Sequence, residues 1–233
     1  MEQRNFVRRR QCLVPTWQGW LLIAFFGCTL MVVAVLRVHS FLAVTERVQA
    51  DVLVVEGWAP AYMLEEARAE FERHHYKKLY VTGGPVEIGR YLSEYKTYAE
   101  LGAASLVCMG MDSETIEAVR VPQAQRDRTY TSALILERLL NQHAAQNTKL
   151  NVVTIGARAR RTLLLFRKAF NDDSRVGVIA IDDRDYDPKQ WWRFSQGVRN
   201  IVGELIAYAY ARIVFPFISE SECSPNRSSD CLS

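Results

Sequence analysis

The sequence lacks the patterns that identify the commonest metal, nucleotide and nucleophile sites. Its five cysteines are scattered, none forms a CxxC pair, and none of its four histidines has a partner at zinc-ligand spacing. We therefore expect neither a disulfide framework nor a thiolate or imidazole metal site. No GxGxxG, Walker or GxSxG motif is present, so the sequence carries no signature of a dinucleotide site, a P-loop or a hydrolase nucleophile.

An excess of charge of one sign is also missing. The formal net charge is +3 over 233 residues, and no basic face is interleaved with aromatic residues. Nucleic-acid-binding domains have such a basic footprint, so no nucleic-acid partner is predicted. Hydrophobic residues make up 49% of the chain and charged residues 24%, which is typical of a globular protein with a packed core.

Residues 17–36 depart from this ordinary composition because they contain no charged residue. The run is about as long as a helix that crosses a bilayer, and Trp17 and Trp20 stand at its start, where interfacial aromatic residues usually lie. It is apolar on every side, which favours lipid over a buried core helix. A cleaved signal peptide would have a shorter apolar core, and the small-residue site at 48–50 lies far downstream. The pattern predicts a signal anchor that contacts the lipid bilayer through residues 17–36.

The charges that flank this span predict its orientation. Four arginines lie in the basic segment 1–16, whereas Arg37 and Arg47 follow the span. The positive-inside rule then places the N-terminus in the cytoplasm and the remainder outside it. We expect a single-pass protein of the cytoplasmic (inner) membrane, with a tether at 37–49, an extracytoplasmic domain at 50–218, and a disordered Ser-, Cys- and Pro-rich tail at 219–233.

Strand-like and helix-like segments alternate through the predicted domain. Continuous apolar runs predict strands at 51–56, 79–82, 105–109, 150–155 and 176–181, with a short extra strand at 116–121. Apolar residues at helical spacing predict four separate helices. The first follows Pro60, the second runs from Leu92 to a cap at Gly102, the third begins near Thr129, and the fourth contains Leu163, Phe166 and Phe170. A last helix is predicted from Gln196 to Pro216, with Val198, Ile201, Leu205 and Ala209 buried. This alternation is typical of a parallel sheet covered on both faces by helices.

Several of these predicted strands end in glycine, namely at Gly57, Gly83, Gly110 and Gly156. The carboxyl ends of parallel strands meet at one edge of a sheet, where ligands of α/β proteins bind. The pair Gly83-Gly84 can turn with positive φ and lets a ligand approach the main chain, although it also fits a simple tight turn. We therefore predict that Gly57, Gly83 and Gly84 line a ligand crevice.

Three arginines, Arg158, Arg160 and Arg161, follow the 150–155 strand at the start of a helix. They oppose the positive end of the helix dipole, and Arg158 and Arg161 share a face. Such an arrangement favours a bound anion, because arginine binds phosphate or carboxylate in bidentate fashion. The alternative is that these arginines point to solvent or reach internal acids. Thr129 suits a helix N-cap by type, and it could equally present its hydroxyl to the crevice.

Two glutamates are candidates for acid–base chemistry. Glu94 follows the Gly-Gly turn and Glu204 lies in the last predicted helix; each could pair with an arginine, act as general base, or have a solvated or structural role. A cluster of acids also follows the last predicted strand, where Mg²⁺ or Ca²⁺ could bind, but its spacing matches no EF-hand and favours a solvated loop. Its members are Asp182, Asp183, Asp185 and Asp187. We predict no metal site, and the sequence identifies no cofactor.

Five motifs in order resemble those of the ElyC/SanA/YdcF family. That family has an Ala-Asp before its first strand, a Ser/Thr-Gly-Gly strand end, a Ser-Arg-Asn-Thr-x-Glu-Asn-Ala-like helix start, a Val-Thr-x-x-x-His-x-x-Arg-like turn and a glutamate in the last helix. The corresponding positions are Ala50-Asp51, Thr82-Gly83-Gly84, residues 126–133, Val153-Thr154 through Arg161, and Glu204. The resemblance covers roughly residues 49–215. It departs from the family at Thr131, where the family has Glu, and at Arg158, where it has His.

The resemblance implies a Rossmann-like three-layer α/β domain that acts in cell-envelope biogenesis, on peptidoglycan or lipid-linked intermediates. Three hypotheses follow. In the first, Gly83, Gly84, Arg158 and Arg161 bind a phosphorylated or carboxylated metabolite, with Thr129, Glu94 and Glu204 around it. In the second, the domain is a hydrolase or transferase with Glu94 or Glu204 as base, which the two departures disfavour. In the third, it is a non-catalytic membrane scaffold.

Overall fold

A computed structural model describes residues 16–87, 94–123, 127–143 and 147–214. The chain forms two compact units, Met1–Arg37 and Val38–Ser233. The first unit contains most of helix α1 (Trp17–Leu42), whose side chains are exposed along the apolar run, as at Phe25 and Leu30. Among the described residues, α1 is the one helix long and apolar enough to cross a membrane.

A five-stranded parallel sheet forms the centre of the second unit. Its strands are β1 (Val52–Glu56), β2 (Lys78–Gly83), β3 (Ile116–Arg120), β4 (Leu150–Ile155) and β5 (Val176–Ile181). They lie in the order β3-β2-β1-β4-β5, and every pairing is parallel. The predicted α/β fold is therefore confirmed.

Helices cover both faces of this sheet. They are α2 (Ala61–His74), α3 (Tyr98–Cys108), α4 (Arg128–Gln142), α5 (Ala159–Phe170) and α6 (Ser195–Ile213). On one face, Met63 of α2 and Leu106 of α3 pack with Leu53 of β1. On the other face, Leu136 of α4 and Phe166 of α5 pack with strand residues that include Val54. Alternate residues of β1 thus enter opposite cores, which explains why the whole strand is apolar up to its last residue.

The prediction of a strand at 105–109 is wrong, because these residues belong to α3. The helix begins at Tyr98 with a capping box, in which Thr97 Oγ1 accepts from Glu100 N and Glu100 accepts from Thr97 N. Gly102, predicted as a helix cap, lies inside this helix and not at its end. A short apolar run such as 105–109 fits either a strand or a buried helix, and the capping box at Thr97 favours the helix.

The segment predicted as a tether packs against the second unit. Helix α1 continues to Leu42, which is fully buried, and Glu46 then pairs with Val178 at the edge of the sheet. The side chain of Asn151 holds the next turn by accepting from Val48 N at 2.9 Å and donating to Val48 O at 2.8 Å. Residues 38–49 therefore belong to the folded unit and do not form a free linker.

Helix α6 buries fewer residues than the sequence predicts. Ile201 is 1% exposed, as predicted, whereas Val198 is 39% and Leu205 40% exposed, and Ala209 is also exposed. The reason is that α6 packs beside α5, through Ala211 and Leu165, and not flat on the sheet. The predicted tail at 219–233 and Pro216 lie outside the described residues.

Candidate functional site

The strand order reverses between β1 and β4, because the chain proceeds from β1 towards β3 and then returns to β4. Connections leave these two strands towards opposite faces, so a crevice opens at their carboxyl ends. The chain at this point comprises Glu56, the last residue of β1, with Gly57-Trp58 after it, and Gly156-Ala157-Arg158 after β4. The fold itself thus places a ligand-sized opening between these two loops.

A cavity of about 800 Å³, here called the main cavity, occupies this crevice and extends over the end of β2. Its volume falls in the range of small-molecule sites, roughly 300–1,000 Å³. The lining comes from six separate parts of the chain and includes Glu56, Trp58, Thr82, Gly83, Gly84, Glu87, Tyr98, Asp127, Arg128, Thr129, Ser132, Arg158, Arg161 and Ala207.

Most of the residues predicted to bind a ligand line this one cavity. The structure brings together Gly83, Gly84, Thr129, Arg158 and Arg161, and Glu204 lies against the two arginines. Gly57 and Glu94 are not among the lining residues. Glu94 is exposed, and residues 88–93 before it lie outside the described part of the chain.

Arg161 forms a bidentate ion pair with Glu204. Its Nε lies 2.8 Å from Oε2 of the carboxylate, and its Nη2 lies 3.1 Å from Oε1. Burial lowers the pKa of Arg161, but the hydrogen bonds and charge of Glu204 outweigh burial and raise that pKa above its ordinary value. Arg161 therefore follows the predicted alternative in which an arginine pairs with an internal acid, and the carboxylate of Glu204 holds its guanidinium in place.

Arg158 is held more loosely than Arg161. Its guanidinium carbon lies 4.4 Å from the centre of the Trp58 ring, and its Nε lies 3.7 Å from Oε1 of Glu204, which is too long for a hydrogen bond. The Nε atom is buried and has no hydrogen-bond partner among the described residues. Arg158 thus keeps hydrogen-bonding capacity for a group inside the cavity.

The third arginine of the predicted cluster lies elsewhere. Arg160 stacks its guanidinium 4.1 Å from the ring centre of Phe41 and donates to the carbonyl oxygen of Phe41. It does not line the main cavity. Because it shares residue type and helix turn with the cavity arginines, it is a matched control for them.

Gly57 and Gly83 let helix α3 approach the sheet. A Cβ at Gly57 would lie 2.7 Å from the carbonyl carbon of Tyr98, and a Cβ at Gly83 would lie 2.8 Å from the same atom. Gly102 of α3 faces Gly57 in turn, where an added Cβ would lie 2.9 Å from the Gly57 Cα. These glycines therefore bring two backbones together, whereas Gly84, whose nearest neighbour would be Val121 O at 3.6 Å, is open to the cavity.

Thr129 does not cap its helix. Helix α4 begins one residue earlier than predicted, and the N-cap position is Asp127, which has a left-handed backbone with φ of 43°. Thr129 lies in the first turn, is 4% exposed and lines the main cavity. Of the two alternatives for Thr129, the structure supports the position at the crevice.

Glu56 is a cavity residue that the sequence analysis missed. It ends β1, is 5% exposed and lines the main cavity, and its Oε2 is buried without a hydrogen-bond partner among the described residues. A charged residue that ends an otherwise apolar buried strand was a signal in the sequence, because unpaired carboxylates are rarely buried.

Among the described residues, three cationic side chains and three carboxylates line the main cavity, and the carboxylate of Glu204 lies beside two of the arginines. The cationic side chains are Arg128, Arg158 and Arg161. The carboxylates of the lining are Glu56, Glu87 and Asp127. The cavity is thus a mixed-charge site, with free hydrogen-bonding capacity on both a guanidinium and a carboxylate.

A second cavity of about 340 Å³, here called the side cavity, shares Trp58 and Arg158 with the main one. Burial raises the pKa of its residue Tyr186, and the nearby charges of Asp183 and Asp182 act in the same direction. The Tyr186 hydroxyl is buried without a hydrogen-bond partner among the described residues. The side cavity therefore places a neutral aromatic hydroxyl among charged side chains, which include Asp183, Asp185 and Arg199.

The acidic loop after β5 makes local hydrogen bonds. Asp183 accepts from Asp185 N at 3.0 Å and from Asn200 Nδ2 at 3.0 Å, and Asp187 accepts from Lys189 N at 2.8 Å. Within the described ranges, no group of three or more His, Cys, Asp or Glu side chains is arranged to hold a metal ion. These acids fix the shape of the loop beside the side cavity.

No protein-family model matches the chain, and no curated protein is significantly similar to it. The chemistry of the site therefore rests on the residues described above.

Proposed function

We propose that this protein is a membrane-anchored α/β domain that binds a small metabolite with a phosphate or carboxylate group in its main cavity. One observation carries the proposal: Arg158 lines the strand-order crevice with unpaired hydrogen-bonding capacity, beside Arg161 and the open main chain at Gly84. A partly desolvated guanidinium with an unsatisfied N–H group is suited to bind such an anion. The Trp58 ring contacts the Arg158 guanidinium on one side.

The role of Arg161 in this proposal is to set the charge and position of the site. Glu204 neutralises it, so a ligand anion would share Arg161 and would take the free bonds of Arg158. This geometry gives Glu204 a positioning role and leaves it poorly placed as a general base. With Glu94 exposed and outside the lining, no arrangement of the described residues favours the enzymatic alternative with either glutamate as base.

The proposed setting is the outer face of the cytoplasmic membrane. It is supported by the length and apolarity of α1 and by the four arginines that precede it. The resemblance to the ElyC/SanA/YdcF family supports a role in cell-envelope biogenesis, with peptidoglycan or lipid-linked precursors as the source of the ligand. We expect a periplasmic reporter fused after Ser233 to be active and a cytoplasmic reporter fused there to be silent; the reverse pattern would contradict this setting.

The anion site is tested with the full-length protein in detergent micelles and glucose 6-phosphate as the probe. We expect Arg158→Gln to weaken binding at least about tenfold, because a hydrogen bond to a charged group contributes about 1.5–3 kcal/mol. Binding is measured by isothermal titration calorimetry, with inorganic phosphate as a second probe. Arg160→Gln, two residues away on the same helix turn and outside the cavity, should leave the affinity unchanged. Equal affinities for the wild type and Arg158→Gln would contradict the proposal.

A further inference from the structure

Glu56 has a feature that anion binding alone does not explain. Its carboxylate is among the most buried charged groups of the described chain, at 5% exposure, yet its Oε2 has no hydrogen-bond partner there. Burying an unpaired carboxylate costs several kcal/mol in order of magnitude, and most buried polar groups are therefore paired. A carboxylate in this state inside a ligand-sized cavity points to a partner supplied by the ligand.

The chemistry of a carboxylate limits what that partner can be. An ionised carboxylate only accepts hydrogen bonds, so the group facing Glu56 has to be a donor, either a hydroxyl or a protonated amine. The charge balance of the main cavity decides between them. Because the described residues place three arginines and three lining carboxylates at the site and Glu204 adds a fourth carboxylate, a purely anionic ligand would increase the surplus of negative charge among them. A ligand that also carries a positive charge reduces this surplus.

The position of Glu56 relative to the arginines fits such a ligand. Glu56 ends β1, and Arg158 follows β4, the strand paired beside it, so the two side chains flank the point where the strand order reverses. Arg161, on the first turn of α5, is close enough for the charge of Glu56 to raise its pKa. The acidic Glu56 and the basic Arg158 and Arg161 therefore line the same cavity.

We propose that the ligand is a zwitterion, in which the phosphate or carboxylate binds Arg158 and a protonated amine binds Glu56. This inference rests on the proposed function and narrows it to amino sugar phosphates, amino acids or similar amine-bearing metabolites. Glu56 is then a specificity-determining residue, because it accepts from the amine and distinguishes it from a hydroxyl at the same position. A lone hydroxyl would satisfy one hydrogen bond but would add no positive charge beside Glu56.

The test compares two probes that differ at one position, glucosamine 6-phosphate and glucose 6-phosphate. Both carry the same phosphate on the same ring, and one has an amine where the other has a hydroxyl. With the full-length protein in detergent, at a pH where the amine is protonated, we expect at least tenfold tighter binding of glucosamine 6-phosphate. A tenfold preference corresponds to about 1.4 kcal/mol, a modest value for a charged hydrogen bond.

Variants of Glu56 connect the preference to this side chain. Glu56→Gln keeps the shape and removes the charge, so we expect this variant to bind the two probes with equal affinity. Glu56→Asp keeps the charge on a shorter side chain and should retain part of the preference. Glu65→Gln, on the exposed side of α2, is the matched control and should retain all of it. Thermal unfolding of each variant identifies any loss of fold.

The outcomes separate the two proposals. Equal binding of both probes by the wild-type protein would overturn the zwitterion inference and leave the anion site in place. An amine preference that survives in Glu56→Gln would overturn the role of Glu56. Binding of neither probe nor inorganic phosphate would overturn the anion site itself, and the inference with it.

Discussion

Arg161→Ala is expected to lower the stability of the folded domain by about 3 kcal/mol, the scale for breaking a buried ion pair. The side chains of Arg161 and Glu204 are 15% and 16% exposed, so removing the guanidinium leaves a largely buried carboxylate without its two hydrogen bonds. For a domain of this size, we expect the unfolding midpoint to fall by roughly 6–12 °C. The midpoint is measured by thermal unfolding of the full-length protein in detergent.

A double variant shows whether the lost stability comes from the unpaired charge. Arg161→Met combined with Glu204→Leu removes both charges and keeps side-chain volume, and such replacements are often neutral or stabilising. We therefore expect the double variant to recover most of the loss that Arg161→Ala causes. If it were as unstable as the single variant, packing and not charge would be the reason for the effect, and the description of Glu204 as a positioning residue would fail.

Gly83→Ala is expected to destabilise the domain by about 3 kcal/mol, at the upper end of the range for overpacking a tight contact. The added Cβ would lie 2.8 Å from the carbonyl carbon of Tyr98 and would also meet the backbone nitrogen of Ala99. Both atoms belong to the start of α3, so relief requires the helix to move away from β2. Because Tyr98 and Gly83 line the main cavity, we expect glucose 6-phosphate binding to weaken together with stability.

The neighbouring residue provides a control for this prediction. A Cβ at Gly84 would have its nearest contact at 3.6 Å, from Val121 O, which is ordinary van der Waals distance. Gly84→Ala should therefore change stability by no more than about 0.5 kcal/mol, as for an unconstrained surface position. Equal destabilisation by the two substitutions, measured by chemical denaturation, would show that the tight contact between Gly83 and α3 is not the cause.

The sheet could be predicted from the sequence because most of its strands are short runs that are rich in apolar residues. β1, β4 and β5 are buried on both faces, so their sequences are near-continuous apolar runs, the pattern typical of strands in a parallel sheet. α3 could not be predicted in the same way, because a short apolar run such as 105–109 fits a buried strand and a buried helix equally well. What decides is the capping box of Thr97 and Glu100, a signal that the sequence contained and that the prediction did not use.

The candidate site was predictable only in part, because contacts between residues far apart in the sequence leave no signal in local sequence patterns. The grouping of Gly83 and Gly84 with Arg158 follows from one rule, that parallel strands end at the same edge of a sheet. The pairing of Arg161 with Glu204 joins residues 43 positions apart and depends on how α6 packs beside α5. The role of Gly57 in helix packing likewise depends on the position of Gly102, which the sequence alone does not fix.

The stack of Arg158 on Trp58 has a consequence for the length of molecule that the site can accept. Both side chains line the main cavity and the side cavity. Rotation of Arg158 about its side-chain bonds would join the main cavity to the side cavity, which contains Tyr186. The upper size limit of the ligand is therefore set by the rotamer of Arg158, which can change when the ligand binds, and not by the rigid sheet beneath it.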